Sequence, residues 1–238
     1  MGQLEDAALR PVRGQHAFES CVERLATSIR LGIFPTGSRL PPERELAERL
    51  GVSRATLREA IAGLRVAGMV RTVRGRGGGT VVAYEPEAPS QGRAKRLIGR
   101  EAELLDSLVF RRVVEPGACY LAAQQGVSEK ERQLLTSALA AVAGAPNAAT
   151  HRQADSRLHL AIASVTRSPA IVTAVTEVQG ALDEMLRAIP VLPVNIEHSS
   201  RQHETIVRGI LAGDPTHARR AMERHCDDTA ALLRGLLG

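Results

Sequence analysis

Apolar positions recur at helical spacing along most of the chain, and the stretches where that spacing fails divide it. Phe18, Val22, Leu25, Ala26 and Ile29 predict a helix over about residues 15–31, stopped at Gly32 before the turn Pro35-Thr36-Gly37-Ser38. Pro41 and Pro42 stand where proline suits a first helical turn, and ERELAERL predicts a short helix closing at Gly51. Ser53 is placed to cap a third helix, SRATLREAIAGLRVAG, which ends at Gly68. Two β-branched runs, MVRTV and GTVVAY, then flank RGRGGG and predict a short hairpin with a glycine-rich tip. Helix, helix, glycine turn, helix, hairpin is the order of a winged helix-turn-helix.

Residues 84–100 are rich in proline, glycine and charge and predict a linker between domains. From Glu101 the helical period returns, in segments of about 101–125, 128–143, 148–166, 169–188, 195–213 and 215–236. Strand-like alternation is absent there. The expected fold is therefore mainly α. A polar tail (1–14) precedes a winged helix-turn-helix (15–83), the linker (84–100) follows, and an antiparallel all-helical bundle of about six helices (101–238) completes it.

Composition narrows the function classes. Three cysteines, Cys21, Cys119 and Cys226, are too scattered for a disulfide framework or a paired-cysteine metal clip, so they read as reduced thiols in the cytoplasm. The opening MGQLEDAALRPVRG has no apolar core of a signal peptide, and no apolar run is long enough for a membrane span. Aromatic residues are only 2% of the chain, which counts against base-stacking platforms. Residues 1–83 hold 13 arginines against 8 acidic residues, so the whole surplus of +5 sits in the first third. That local excess suggests a polyanion partner for the front domain alone.

The third helix carries the chemistry for such a partner. Leu57 and Ile61 share its buried face, leaving Arg54 and Arg58 to point outward together. An arginine can donate two hydrogen bonds to a guanine edge, while the Ser53 and Thr56 hydroxyls suit phosphate oxygens. In the hairpin, Gly75 lets the backbone pass close to the minor groove, and Arg74 and Arg76 supply charge beside it. The stretch LPPERELAERLGVSRATLREAIAGLRVAGMV, followed by RGRGGGTVV, resembles the DNA-binding domain of the GntR family of bacterial repressors. The resemblance implies that Arg44 is a further base-contacting residue. It departs from the family at Pro42, where a serine is usual, which bears on the cap of the second helix.

The back domain holds a second constellation. Asp155 and His159 lie four apart on a face shared with Ile162; His203 precedes Ile206, Val207 and Ile210 at core spacing. His225 shares a stripe with Ala221, Met222, Thr229 and Leu232. A single histidine on an apolar face is ordinarily a satisfied core residue. Three imidazoles and a carboxylate on the inner stripes of separate helices are costly to bury without a common partner. A divalent transition metal would satisfy them together, Zn or Ni foremost, with Mn, Fe and Co also within the donor chemistry. His16, His151, His198 and His217 sit at irregular positions and are expected to be exposed. Cys226 lies about 100° around the helix from His225 and is not counted as a ligand.

DSRLHLAIA, SRQHETIVRGILAGDPTHA and RRAMERHC resemble the ligand-sensing FCD domain found in the FadR branch of the GntR family. The resemblance implies metal ligands at Asp155, His159, His203 and His225. An octahedral ion so held would keep two positions for water or a bidentate carboxylate. On the opening helix of this domain, Leu104, Leu105, Leu108, Arg111 or Arg112, Glu115, Cys119 and Ala122 trace one stripe. An arginine there can clamp an effector carboxylate, Arg111 being favoured, or it can form a salt bridge with Glu115.

These readings combine into a homodimeric, ligand-responsive transcription factor, a repressor whose palindromic DNA operator is released when a small organic acid binds the metal-bearing domain. Two alternatives remain at this level: a regulator that senses the metal itself, and a metalloenzyme. The enzyme lacks a general base at motif spacing and leaves the DNA-reading domain unexplained.

Overall fold

The structure is a computed structural model that describes residues 17–75, 78–85, 99–189 and 192–237. The expected polar tail, His16, most of the expected linker and Arg76 lie outside the described residues. The chain forms two compact units, Met1–Pro86 and Glu87–Gly238.

In the first unit, α1 (Ala17–Arg30) and α2 (Glu43–Leu50) each pack on α3 (Arg54–Val66), and β1 (Val70–Val73) pairs antiparallel with β2 (Gly79–Val82). Leu25, Ile29, Leu46, Leu50, Leu57, Ile61 and Leu64 form its buried interior. The inner face of α1 is turned slightly from the expected stripe: Cys21 and Ser28 are buried, whereas Phe18 is exposed. Pro42 gives α2 no side-chain cap, which is what the departure from serine costs; Glu43 and Glu45 in the first turn complement the helix dipole instead. Gly51 ends α2 in the left-handed region at φ 66°, a conformation that glycine adopts without a Cβ clash. Ser53 caps α3 as expected, its hydroxyl accepting from the Thr56 backbone N–H at 3.0 Å.

The second unit is all helical: α4 (Glu101–Gln124), α5 (Glu129–Ala143), α6 (Ala148–Val165), α7 (Pro169–Ala188), α8 (Pro193–Leu211) and α9 (Pro215–Leu237). These bounds follow the sequence pattern closely. The largest departure is α8, which begins two residues earlier than expected because Pro193 takes the first helical turn. Helix α4 is central and packs against α6, α7, α8 and α9. Leu104, Leu108, Arg111, Glu115, Cys119 and Ala122 all lie on its buried side. Leu105 does not: it belongs to an exposed stripe with Val109, Phe110 and Val113, because the inner face is narrower than the apolar spacing suggested.

The apolar interior of the bundle falls into two clusters. One includes Cys119, Leu158, Ile162, Ile206, Ile210 and Met222; the other includes Leu104, Leu108, Leu182, Met185, Ile189 and Leu233. On α4, Arg111 and Glu115 fall between the residues of the two clusters, whereas on α9 His225 stands within the first, between Met222 and Cys226. Arg111, Glu115 and His225 are all buried and form a polar layer with His159, Gln179 and His203. Layers of this kind are expensive unless every member finds a partner.

Candidate metal centre and DNA-reading surface

Three helices deliver one histidine each to the polar layer. His159 comes from α6, His203 from α8 and His225 from α9, each on the inward stripe that its apolar neighbours define. All three are buried, and their ring centroids are 5.2, 5.2 and 4.6 Å apart. One nitrogen from each lies within 4.8 Å of the other two. His159 Nε2 and His203 Nε2 approach to 3.2 Å. Asp155, one turn before His159, reaches the same space: its carboxylate oxygens lie 3.4 Å from His203 Nε2 and 3.9 Å from His159 Nε2. The four residues expected to converge are therefore brought together.

The atoms behind the rings set their tautomers. Gln202 Nε2 donates to Asp228 Oδ2 at 2.7 Å, which turns the amide oxygen toward His225 Nδ1, 3.1 Å away. A carbonyl oxygen only accepts, so His225 Nδ1 carries the proton and Nε2 keeps its lone pair. Glu115 Oε2 lies 2.9 Å from His159 Nδ1, off the line of a hydrogen bond, and its charge favours the proton on that nitrogen. A carboxylate or carbonyl behind an imidazole is the usual arrangement for a metal-ligating histidine. Burial pushes the His203 imidazole down to about 4, with the facing Asp155 charge working against that shift, and burial drives His225 well below the ordinary range. Both rings are thus neutral, as a ligand must be.

The donor set fits a transition metal on two observations. Metal–nitrogen bonds of about 2.0–2.1 Å place neighbouring donors roughly 3.0–3.4 Å apart, which matches the 3.2 Å between His159 and His203 and the 3.4 Å between His203 and Asp155, while Asp155 and His159 stand further apart at 3.9 Å. The Nδ1 of the fully buried His203 also has no hydrogen-bond partner among the described residues, an expense that a bond at Nε2 would offset.

Glu115 ties this cluster to Arg111. Its Oε2 accepts from Arg111 Nε at 3.0 Å, and its Oε1 accepts from Gln179 Nε2 at 2.6 Å. Burial opposes the Glu115 charge, but the Arg111 guanidinium and His159 overcome it and hold the carboxyl well below its usual range. Arg111 is itself buried, yet Nη1 and Nη2 find no partner among the described residues. They belong to a side chain that lines a cavity shared with Asp155, His225, Thr229, Ser199 and the leucines of α7 and α9. The salt bridge expected between Arg111 and Glu115 is formed at Nε, and the two terminal nitrogens remain without a partner among the described residues. Arg112 lies outside this layer, paired with Asp227 at 2.7 Å and Glu223 at 3.3 Å.

One expectation is corrected. His151 is half-buried rather than exposed; it lines the same cavity, and its Nε2 is buried without a partner among the described residues. Its position one turn before Asp155 carried that signal. Gln179 and Gln202, both in the hydrogen-bonding shell, left no mark in the sequence, since a glutamine inside a helix is usually solvated. His198 and His217 are exposed, as expected.

On the first unit, Arg44, Arg54 and Arg58 are exposed, with Arg54 and Arg58 on the outer face of α3. Ser53 Oγ and Thr56 Oγ1 lie 2.8 Å apart at the start of that helix. Arg74 and Gly75 are exposed at the end of β1, and Gly75 has a φ of 98°, which a side chain would strain. At Gly78 an added Cβ would stand 2.4 Å from the Val73 carbonyl oxygen, so the turn requires glycine.

A winged helix-turn-helix with exposed arginines, followed by an all-helical domain around a buried histidine cluster, defines a DNA-binding transcriptional regulator with a ligand-sensing domain. The chain belongs to the GntR family: residues 18–82 match the bacterial regulatory proteins of the gntR family and residues 106–228 match the FCD domain. It is 31% identical to RmpR of Mycobacterium gastri over 214 residues, covering 87% of this chain and 76% of that one. It is 26% identical to the HTH-type transcriptional repressor NanR of Cronobacter sakazakii over 237 residues, 95% and 89% of the two chains. Among solved structures, Escherichia coli McbR/YncC shares the fold at a TM-score of 0.56 and 16% identity, over 93% and 99% of the two chains.

Proposed function

We propose that this regulator is a repressor whose helical domain holds a divalent transition metal and, beside it, a small carboxylate metabolite that controls operator binding. Asp155, His159, His203 and His225 would hold the ion, with Zn or Ni suited best by three imidazoles and a carboxylate. When bound, the ion supplies a Lewis-acid site for the carboxylate. Arg111 supplies the other half of the clamp, two N–H groups already placed and desolvated. The single observation that carries this reading is that Asp155 and His225 of the cluster line one cavity with Arg111, whose terminal nitrogens are buried without a partner among the described residues.

In the first unit, Arg54, Arg58 and Arg44 read base edges, Ser53 and Thr56 hold phosphates, and the wing with Arg74, Gly75 and Arg76 follows the minor groove. A repressor role agrees with the name of NanR, and action on DNA supports a cytoplasmic location. No helix among the described residues is long and apolar enough to cross a membrane.

The working unit is a homodimer, which matches two reading heads to a palindromic operator. The outer face of α4 supports this. Leu105, Val109, Phe110 and Val113 are exposed there, and Gly117 continues the stripe with open space where a Cβ would stand. A mid-helix glycine costs about 1 kcal/mol with no contact inside the protomer to justify it, and close approach of a second copy would do so.

Operator binding measured with and without chelator, then with added metal and a panel of hydroxy- and keto-acids, tests the proposal. Release by an acid only when metal is present supports it. Release by metal alone would make the ion the signal, and turnover of any acid would make the domain an enzyme. In His203→Ala, bound metal and acid response are expected to fall while operator binding persists; unchanged metal content would remove His203 from the site.

A further inference from the structure

The cavity beside the metal cluster has two unlike ends. Arg111, Asp155 and His225 stand at one, joined by Thr229, whose hydroxyl is already committed to the His225 carbonyl at 2.8 Å. Moving away from them along α7 and α9, the lining turns apolar: Leu182, Leu186, Ile189 and Leu232, faced by Ile196 from α8. Leu182 and Ile189 are core residues, whereas Leu186, Ile196 and Leu232 are only half-buried and present apolar surface to the cavity. His225 to Leu232 spans two turns of α9, about 10 Å of helix rise.

Among the described residues lining the cavity, the distal end offers one cation, and that one is already engaged. Arg152 is the cation on that half, and its Nη1 donates to the Leu186 carbonyl at 2.6 Å. Among the described residues that line the cavity, His151 and Asn195 are the other polar groups on that half, suited to a hydroxyl or carbonyl oxygen. Water against the leucine wall finds no hydrogen-bond partner, and a hydrocarbon does not need one.

We propose that the metabolite sensed here is an amphipathic monocarboxylate. Its carboxylate is taken by Arg111 at the metal end, and its apolar tail, extending some 10 Å, lies against Leu182, Leu186, Ile189, Ile196 and Leu232. This rests on the carboxylate-sensing reading and adds what that reading leaves open, the rest of the effector. The wall favours a longer tail in proportion to the area it covers and penalises a second carboxylate, which would be desolvated beside leucines with only the already engaged Arg152 as a cation on that half.

Calorimetric titration of the metal-loaded full chain with straight-chain monocarboxylates, from acetate to decanoate, tests this, alongside dicarboxylates of matching length. The dissociation constant is expected to fall about fourfold for each added methylene until the tail fills the wall, then to level off. Each dicarboxylate is expected to bind at least about tenfold more weakly than the monocarboxylate of its length. Leu186→Asn should flatten the series, with metal content as the control for folding; Leu232→Asn serves if the first variant fails that control. A flat series in the wild type, or a dicarboxylate that binds more tightly, overturns the amphipathic effector and leaves carboxylate sensing intact. If no carboxylate binds the metal-loaded protein, carboxylate sensing and the proposal built on it both fall.

Discussion

Glu115 Oε2 lies 2.9 Å from His159 Nδ1 and 3.0 Å from Arg111 Nε, so one buried carboxylate orients both the metal-facing imidazole and the effector-facing guanidinium. Ion and acid therefore share a common support, and a disturbance of one reaches the other through a path two contacts long. Reciprocal coupling follows from such a shared element: metal should tighten acid binding by the same factor that acid tightens metal binding.

Removing that support should be costly twice over. Glu115→Gln keeps the shape but not the charge, so it leaves the Arg111 guanidinium buried and uncompensated. A stability loss of about 3–5 kcal/mol is expected in thermal or urea unfolding. Metal affinity should fall about 10–100-fold, the usual effect of removing the group behind a ligating histidine. A variant that keeps wild-type metal affinity would show that His159 is oriented by something else.

The DNA-reading face should fail independently of the sensor. Arg54→Ala is expected to remove about 1–3 kcal/mol of discrimination between operator and random DNA, measured as competition in a gel-shift or anisotropy titration. Ser53→Ala should instead lower stability by about 1 kcal/mol through the lost cap of α3, with weaker binding to all sequences alike. Metal content should not change in either variant; a change would point to unfolding.

The exposed stripe of α4 gives a test of assembly. Val113→Asp places a charge at the middle of the apolar face without touching the core, since Val113 is 70% exposed. Sedimentation should show dimerisation weakened at least about tenfold, with operator affinity falling in step. An unchanged association constant would move the dimer contact to another face.

The corner where α6 meets α7 should contribute to acid sensitivity alongside the buried Glu115. Arg167, in the left-handed region at φ 55°, donates from Nε and Nη2 to Glu131 at 3.0 and 2.9 Å. Those bonds, with the cap contacts of Ser128, hold the Glu131 carboxyl down to about 2, against an ordinary value of 4.5. As pH falls, the unfolded chain takes up this proton first, so the contribution is complete above about 4.5 and is lost toward 2. Urea midpoints across that range should drop less steeply in Arg167→Ala than in the wild type.

Much of this molecule is legible in one dimension. Helical spacing located every helix of the bundle to within a few residues. The glycine at 51 and the serine at 53 marked the turn between α2 and α3, and the i, i+4 relation of Leu57 and Ile61 put Arg54 and Arg58 outside. The inward direction of Asp155, His159, His203 and His225 was readable for the same reason: each shares a stripe with residues that have to be buried. Such inferences use only neighbours on one helix, and the helix period supplies those.

What remained was azimuth between helices. Arg111 and Arg112 differ by about 100° around α4, and on a helix contacted from several sides both directions can point inward. Packing put Arg111 in the polar layer and Arg112 beside Asp227. The same packing turned Leu105 to the surface and His151 toward the cavity, and it brought Gln179 across from a position 64 residues distant in the chain to Glu115. Sequence periodicity determined which face of its own helix each side chain occupies; the meeting of those faces depended on crossing geometry, a property of pairs of helices that no single segment encodes.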